Sequence, residues 1–412
     1  MPEALIIDAV RTPRSAGKVG RGKLAHLHPH TLLSTTLRAL SDRNDFDTAD
    51  VDDVITGCGS QRGTQGYCIG RMGALDAGWS IEATGISVDR FCGSGLTSVN
   101  LAAMGIMSGM QDVTVGSGVE MMSLAPTFTD APMLIDSYNL RLRESHPQPH
   151  QGICADVIAS QDGISREDAD ALAVESQNRA ANAIANGYFD RSLVPVLNDD
   201  GSVALDQEDF PRAGTTLEGL AQLQPSFAPM YDFPMGKEGE EVTCRSMVEK
   251  CYPGLDVNHI HHAGNSSGVV DGAGALLLAS DTYAKANGLK PRARIVAMAN
   301  AACEPELMLN APGPAALKAL AKAGMTTDDI DLWEINEAFA VVALKFMRDL
   351  KLDPAKVNVN GGAMALGHPI GATGSMILGT LLDEMERRDL KTGLATMCTG
   401  GGMAPAIIIE RV

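Results

Sequence analysis

Asp50-Val-Asp-Asp-Val-Ile-Thr-Gly57 and, 279 residues further on, Asp329-Ile-Asp-Leu-Trp-Glu-Ile-Asn336 are the stretches whose reading decides the fold. Each places acidic residues ahead of a short apolar run, the pattern of a buried strand. The same gapless shift carries Cys92-Gly-Ser-Gly95 onto Gly371-Ala-Thr-Gly374, and both open a small-residue helix. It also carries the glycine-rich strand end at 115–121 onto 394–400. One offset joining three separate features points to an internal duplication. Two halves related by a pseudo-twofold would bring equivalent loops close to a shared axis.

Working outward, residues 4–10 (ALIIDAV) read as a first strand, 29–43 as a helix with Leu32, Leu33, Leu37 and Leu40 on one face, and 54–56 as a strand. Near the other end, a strand at 294–299, a helix at 315–323 and a strand at 332–335 repeat that order, and 407–412 closes the chain as a strand. Strands alternating with helices imply parallel βαβ units. The middle differs. Residues 165–186 form a helix announced by a Ser165/Asp168 cap. Residues 187–262 are rich in Pro, Gly and charge and too long for an ordinary connection, so a lid or binding subdomain inserted in the first half is expected. The expected division is an N-terminal half at 1–123, an inserted subdomain at 124–262, a return segment to the first half at 263–281 and a C-terminal half at 282–412.

Composition narrows the class. The 412 residues carry 33 Lys and Arg against 51 Asp and Glu, a net charge of −18, which argues against a nucleic-acid binder. With 45% hydrophobic and 20% charged residues the chain is an ordinary globular one of two or three domains. Eight dilute cysteines without a CxxC pair fit neither a disulfide scaffold nor a structural zinc site, and no metal is expected. No basic-then-apolar leader opens the chain, and no apolar run approaches the ~18 residues of a membrane span. A cytoplasmic enzyme without a membrane partner is the expectation.

Four strand-end loops carry reactive side chains. Cys92, in Ser87-Val-Asp-Arg-Phe-Cys-Gly-Ser-Gly95, sits before a helix N-terminus, where unpaired N–H groups and the macrodipole should pull a thiol below its usual ~8.5. His368, in Gly367-His-Pro369, lies on the equivalent loop of the other half and can activate a thiol as a base. Cys398, before Gly400–Gly402, stands after the last parallel strand and suits proton transfer. Asn336-Glu-Ala-Phe339 ends the strand at 332–335 and points polar groups to the same edge, where ligands of α/β sheets bind.

At these residues the chain resembles the thiolase family. Cys92-Gly-Ser94, Asn336-Glu-Ala-Phe339, Gly367-His-Pro369 and Cys398-Thr-Gly400 match its four fingerprints in order, and the match is essentially full length. The resemblance implies a layered αβαβα fold built from two duplicated halves. It implies Cys92 as the acyl-carrying nucleophile, His368 as its activator and Cys398 as the acid/base at the acetyl-CoA carbanion. One oxyanion hole would use His368 and a water on Asn336, and the other the N–H groups of Cys92 and Gly400. Contacts to the CoA arm or acyl group fall on Ser267, Phe227, His150, Gln151 and Phe339. Coenzyme A and acetyl-CoA enter as substrates rather than resident cofactors, in a setting such as β-oxidation, and a homo-oligomer (tetramer or dimer) is implied. The chain departs from the family in the stretch at 228–262, in Gln151 where methionine is common, and in Ala404 where glycine is usual.

Two rivals are weighed against this reading: a ketoacyl-synthase-like condensing enzyme, which lacks the second catalytic cysteine, and a non-catalytic acyl-CoA binder, which need not keep all four motifs. Other features take plainer readings. His259, His261 and His262 resemble a metal cluster, but 259 and 261 are expected to share one face of a strand. Met104, Met107 and Met110 are expected to pack the helix after Cys92, and the acidic run 50–53 to be solvated surface. Arg212, Lys237, Arg245 and Lys250 are the cations available to the phosphates of CoA.

Overall fold

The computed structural model describes residues 2–127, 134–236 and 240–412. The strands that position the site are β1 (Ala4–Arg11), β2 (Asp53–Gly57), β3 (Thr84–Val88), β4 (Val113–Met121), β5 (Val270–Ser280), β6 (Ala293–Ala302), β7 (Leu332–Ile335), β8 (Thr392–Thr396) and β9 (Met403–Arg411). The helices are α1 (Pro29–Arg43), α2 (Ile69–Asp76), α3 (Ser94–Met107), α4 (Gln151–Asp162), α5 (Arg166–Ala185), α6 (Pro312–Ala323), α7 (Ala340–Leu350) and α8 (Thr373–Arg387). Among the described residues no helix is long and apolar enough to cross a membrane.

The strands join in the order β7-β8-β9-β6-β1-β5-β4-β2-β3. β2 is parallel to β3 and β4, and β7 to β8, as the alternation of strands and helices requires. The closing strand of each half departs from that expectation: β5 is antiparallel to β4 and β1, and β9 to β8 and β6. For β9 the reason is length, because residues 397–402 are too few for the crossover that a parallel neighbour needs.

The 279-residue shift persists in the register. Asp53 pairs with Thr114 in one half and Leu332 with Gly393 in the other, and α3 and α8 start at Ser94 and Thr373. The acidic turn repeats as well. Asp52 Oδ2 accepts the amides of Asp112 and Val113 at 2.7 and 3.1 Å, and Asp331 Oδ2 accepts those of Lys391 and Thr392 at 2.9 Å each. Asp52 is therefore a clasp between strand ends, more than the solvated charge expected of the run 50–53. β1 and β6 meet through the pairs Leu5–Arg294 and Ile6–Ala293, the seam between the halves.

Strand alternation sorts the core into layers. On one face, Leu5, Ile7, Val54 and Val115 pack against Leu32, Leu33, Leu37 and Leu40 of α1. On the other, Ile6, Leu276, Ile295, Ile407 and Ile409 pack against α3 and α8 through Leu96, Val99, Leu378 and Leu382. The outer face of the second half, with Ala299, Trp333 and Ile408, is covered by α6, α7 and α4. The result is five layers, αβαβα. α8 is buried from Thr373 to Met385, which explains its apolar and small residues on every face. Each fully buried Leu or Ile there contributes ~1.5–3 kcal/mol. The methionines after Cys92 do not follow the expectation: Met104 and Met110 are exposed, and only Met107 is partly covered.

The central helices touch at their N-termini. A Cβ on Gly374 would stand 2.0 Å from the Leu96 amide nitrogen, and one on its counterpart Gly95 2.6 Å from the Gly371 carbonyl oxygen. Both obstacles are backbone and cannot rotate aside. Gly374→Ala is therefore expected to cost about 1–3 kcal/mol or more, read as a lowered Tm in thermal unfolding. Gly219→Ala, whose nearest neighbour would be an ordinary 3.5 Å away, is the control and should leave Tm unchanged or slightly raised. Equal Tm values for the two variants would contradict the packing argument.

Candidate active site

The loops after β3, β7 and β8 and the loop before α8 gather at the carboxyl ends of the parallel strands. The turn carrying Cys92 is stapled on both sides. Phe91 has φ +47°, an uncommon conformation for a bulky side chain and the kind of local strain that collects at functional turns. Its N–H donates to Asp89 Oδ1 at 2.7 Å. The Ser94 hydroxyl donates to the Phe91 carbonyl at 2.6 Å and accepts the Arg90 N–H at 2.9 Å. The serine of Cys92-Gly-Ser94 is thus explained by the turn it holds.

The Cys398 loop lies directly against this turn. A Cβ on Gly93 would come within 2.4 Å of Thr399 Cγ2, so only glycine permits the approach. The backbone N–H groups of Cys92 and Gly400 stand close to the Cys92 sulfur and favour its charged form. Burial, followed by the nearby carboxylate of Glu120, nevertheless pushes this thiol up to about 12. That corrects the expected lowering, because loss of water around the sulfur outweighs the donors at the helix start. Cys398 is buried, and its thiol is also raised, by desolvation and by the neighbouring Cys92. Both resting thiols are neutral at pH 7.

His368 is fixed by a directed chain. The Thr373 hydroxyl donates to the Pro369 carbonyl at 2.9 Å, so it accepts from His368 Nδ1–H at 2.5 Å. Nε2 is left as the acceptor, 3.4 Å from Asn336 Nδ2. Burial, then the positive charge of Arg14, push the imidazole down to about 4, so it is neutral and able to take a proton at pH 7. Asn336 Oδ1 is buried with no hydrogen-bond partner among the described residues, an open acceptor beside the histidine.

Three further residues hold these loops and escaped the sequence reading. Glu120 Oε2 accepts the N–H groups of Gly59 and Gly371 at 2.8 Å each, joining a loop of the first half to the His368 loop of the second. Glu337 accepts from the Ser176 hydroxyl at 2.7 Å, Asn358 Nδ2 at 3.0 Å and the Met364 N–H at 3.2 Å, which fixes the run leading into His368. Arg14, paired with buried Glu208, donates to the Gly367 carbonyl at 3.4 Å. A charged residue inside an otherwise apolar or glycine-rich run, as at Glu120, was the available signal.

A cavity of about 190 Å³ opens onto Cys92 and Gly400 and is also lined by Ile370, His150 and Gln151. His150 caps α4, its Nδ1 accepting the Gly152 N–H at 3.1 Å, and burial lowers its pKa. Its ring lies 5.5 Å from that of Phe227, which lies 5.7 Å from Phe339. Ser267 is half-buried, and its N–H donates to the Ala338 carbonyl at 2.9 Å, which runs its segment beside the Asn336 loop. Thus Cys92, Gly400, His150 and Gln151 share the cavity, while Phe227, Phe339 and Ser267 stand behind or beside it.

The histidines at 259–262 are not on a strand. They lie in a loop held by carboxylates: Asp156 accepts from His259 at 2.8 Å and His261 at 2.7 Å, and Asp170 pairs with His262 at 2.8 Å. Of the cations named for phosphate, Arg245 and Lys250 are already paired with Asp232 and Glu144. Arg212 is exposed and lies over the Phe210 ring, and Lys237 lies outside the described residues.

Residues 4–230 match the thiolase N-terminal domain and residues 289–411 the thiolase C-terminal domain. The chain is 40% identical to a steroid 3-ketoacyl-CoA thiolase of Mycobacterium tuberculosis, covering all of this chain and 95% of that one. It is 41% identical to an acetyl-CoA acetyltransferase of Escherichia coli over the whole of both. An acetyl-CoA acetyltransferase structure from Bacillus anthracis superposes with a TM-score of 0.82 at 34% identity, covering 100% of this chain and 99% of that one. With both domain models matched in order and full-length relatives at this identity, the chain belongs to the thiolase family and is an acyltransferase of that family.

Proposed function

We propose that the protein cleaves a 3-ketoacyl-CoA with coenzyme A, reversibly, to acetyl-CoA and a shortened acyl-CoA, through an acyl group carried on Cys92. The observation that carries this reading is the meeting of two neutral thiols from different halves, half-buried Cys92 and buried Cys398. Cys92 gives its proton to His368 Nε2 as its sulfur attacks the C3 carbonyl. The resulting oxyanion falls to the N–H groups of Cys92 and Gly400, each such donor being worth ~3–4 kcal/mol. The C2–C3 bond then breaks, and the acetyl-CoA carbanion takes the Cys398 proton. A water on Asn336 Oδ1, together with His368, serves the thioester oxygen. The thiol of an incoming CoA then attacks the acyl-Cys92 thioester, releasing the shortened acyl-CoA and the Cys92 thiolate. The Cys398 thiolate takes the CoA proton and His368 returns its proton to Cys92, so both thiols and the neutral imidazole are restored and the ping-pong cycle closes; run backwards, it condenses acetyl-CoA. A ketoacyl-synthase-like reaction leaves the second thiol without a task.

We propose further that the protein assembles as a homo-oligomer through the free edge of β3. Among the described residues that strand pairs only with β2, and Ile86 on it is 44% exposed. Tyr67, Leu75 and Ile81, on and around the adjoining α2, are exposed as well. An open strand edge flanked by apolar side chains is an association surface unless it is covered.

Two measurements test these readings. Cys92→Ala should lower acetoacetyl-CoA thiolysis by on the order of 10⁴-fold or more; a rate near wild type would refute the mechanism. Ile86→Asp should shift the protein toward a monomer in sedimentation analysis. A wild-type monomer at micromolar concentration, or an unchanged assembly in the variant, would remove the β3 edge from the interface.

A further inference from the structure

The cavity beside Cys92 is apolar on much of its wall, through Leu134, Ile135 and Ile370, yet Gln148, His150 and Gln151 also face it. No charged side chain lines it among the described residues. Gln148 is 8% exposed, and its amide makes no hydrogen bond to any described residue. His150 Nδ1 accepts the Gly152 N–H, so its ring proton sits on Nε2, and the exposed Gln151 adds a second amide to the lining. The Gln148 amide opens onto the cavity instead of being sealed in protein, and covering it there without a hydrogen bond would be costly. Its partner must therefore come from within the cavity, as water in the free enzyme and as substrate in the complex.

The kind of partner follows from charge and size. A plain alkyl chain would expel the water and leave the Gln148 amide stranded. A carboxylate would be desolvated with no cation among the described lining residues to meet it, at larger cost. A hydroxyl or keto oxygen can both accept from and donate to, or accept from, these neutral groups and replaces the water directly. For size, a cavity of about 150 Å³ holds a benzene ring, so 190 Å³ suits an acyl group of roughly six to eight non-hydrogen atoms. We propose that the preferred substrate is a medium-sized 3-ketoacyl-CoA bearing an uncharged hydroxyl or keto oxygen further along its chain, and that Gln148 determines this preference. The proposal rests on the thiolysis reading of the site.

The test compares kcat/KM for thiolysis of 3-ketooctanoyl-CoA, 7-hydroxy-3-ketooctanoyl-CoA and 3-ketosuberyl-CoA, with acetoacetyl-CoA as the tail-less reference. The hydroxylated chain should exceed the plain chain by about tenfold or more, and the carboxylate chain should be poorest. In Gln148→Leu, the ratio of hydroxylated to plain substrate should fall by about tenfold, and Gln148→Met, closer in shape, should reproduce the fall. Equal or better use of the plain chain by the wild-type enzyme, superior use of the carboxylate chain, or an unchanged ratio in both variants would overturn the proposal while thiolysis itself stood. Failure to turn over any of the four, acetoacetyl-CoA included, would overturn the thiolysis reading and this proposal with it.

Discussion

The contact on which the rest depends is the meeting of α3 and α8 at their N-terminal glycines. Gly95 against the Gly371 carbonyl and Gly374 against the Leu96 amide bring two helix starts within backbone distance. Because each helix is preceded by a functional loop, that contact sets Cys92 and His368 on either side of one axis. Glu120 reinforces it from outside, accepting one amide from a loop of each half. The duplicated fold thus supplies two equivalent loops, and the differences between copies supply distinct chemistry: a thiol in one, an imidazole in the other.

Burial then decides the protonation states. Both thiols are raised and the imidazole is lowered, so the resting site holds two neutral thiols and one neutral base. Such a site avoids unpaired buried charge until substrate arrives. In the proposed mechanism charge appears only when Cys92 attacks, and backbone N–H groups of Cys92 and Gly400 already stand near that sulfur. The same dryness that forbids a resting thiolate strengthens each hydrogen bond to the oxyanion that forms.

Much of this was legible in the sequence because duplication writes itself as an offset. The shift of 279 located equivalent strands, helices and loops, and the helices at 29–43 and 166–185 follow from apolar spacing and the Ser165/Asp168 cap. What escaped depends on three-dimensional neighbours. The thiol of Cys92 rises because of burial and Glu120, neither visible in Cys-Gly-Ser. His259, His261 and His262 gain meaning only through Asp156 and Asp170, about a hundred residues earlier in the chain. Met104 and Met110 recur at helical spacing, yet spacing alone does not say which face is covered. The antiparallel β9 likewise follows from the short connection before it rather than from its own residues.

The central claim is a division of labour: Cys92 carries the acyl group and Cys398 moves the proton at carbon. It is tested most directly by measuring two partial reactions of Cys398→Ala. Exchange of an acetyl group between acetyl-CoA and labelled CoA needs only acylation and deacylation of Cys92. Cleavage of acetoacetyl-CoA needs the carbon acid as well. The account predicts that exchange survives in substantial part while cleavage collapses, and equal loss of both would contradict it.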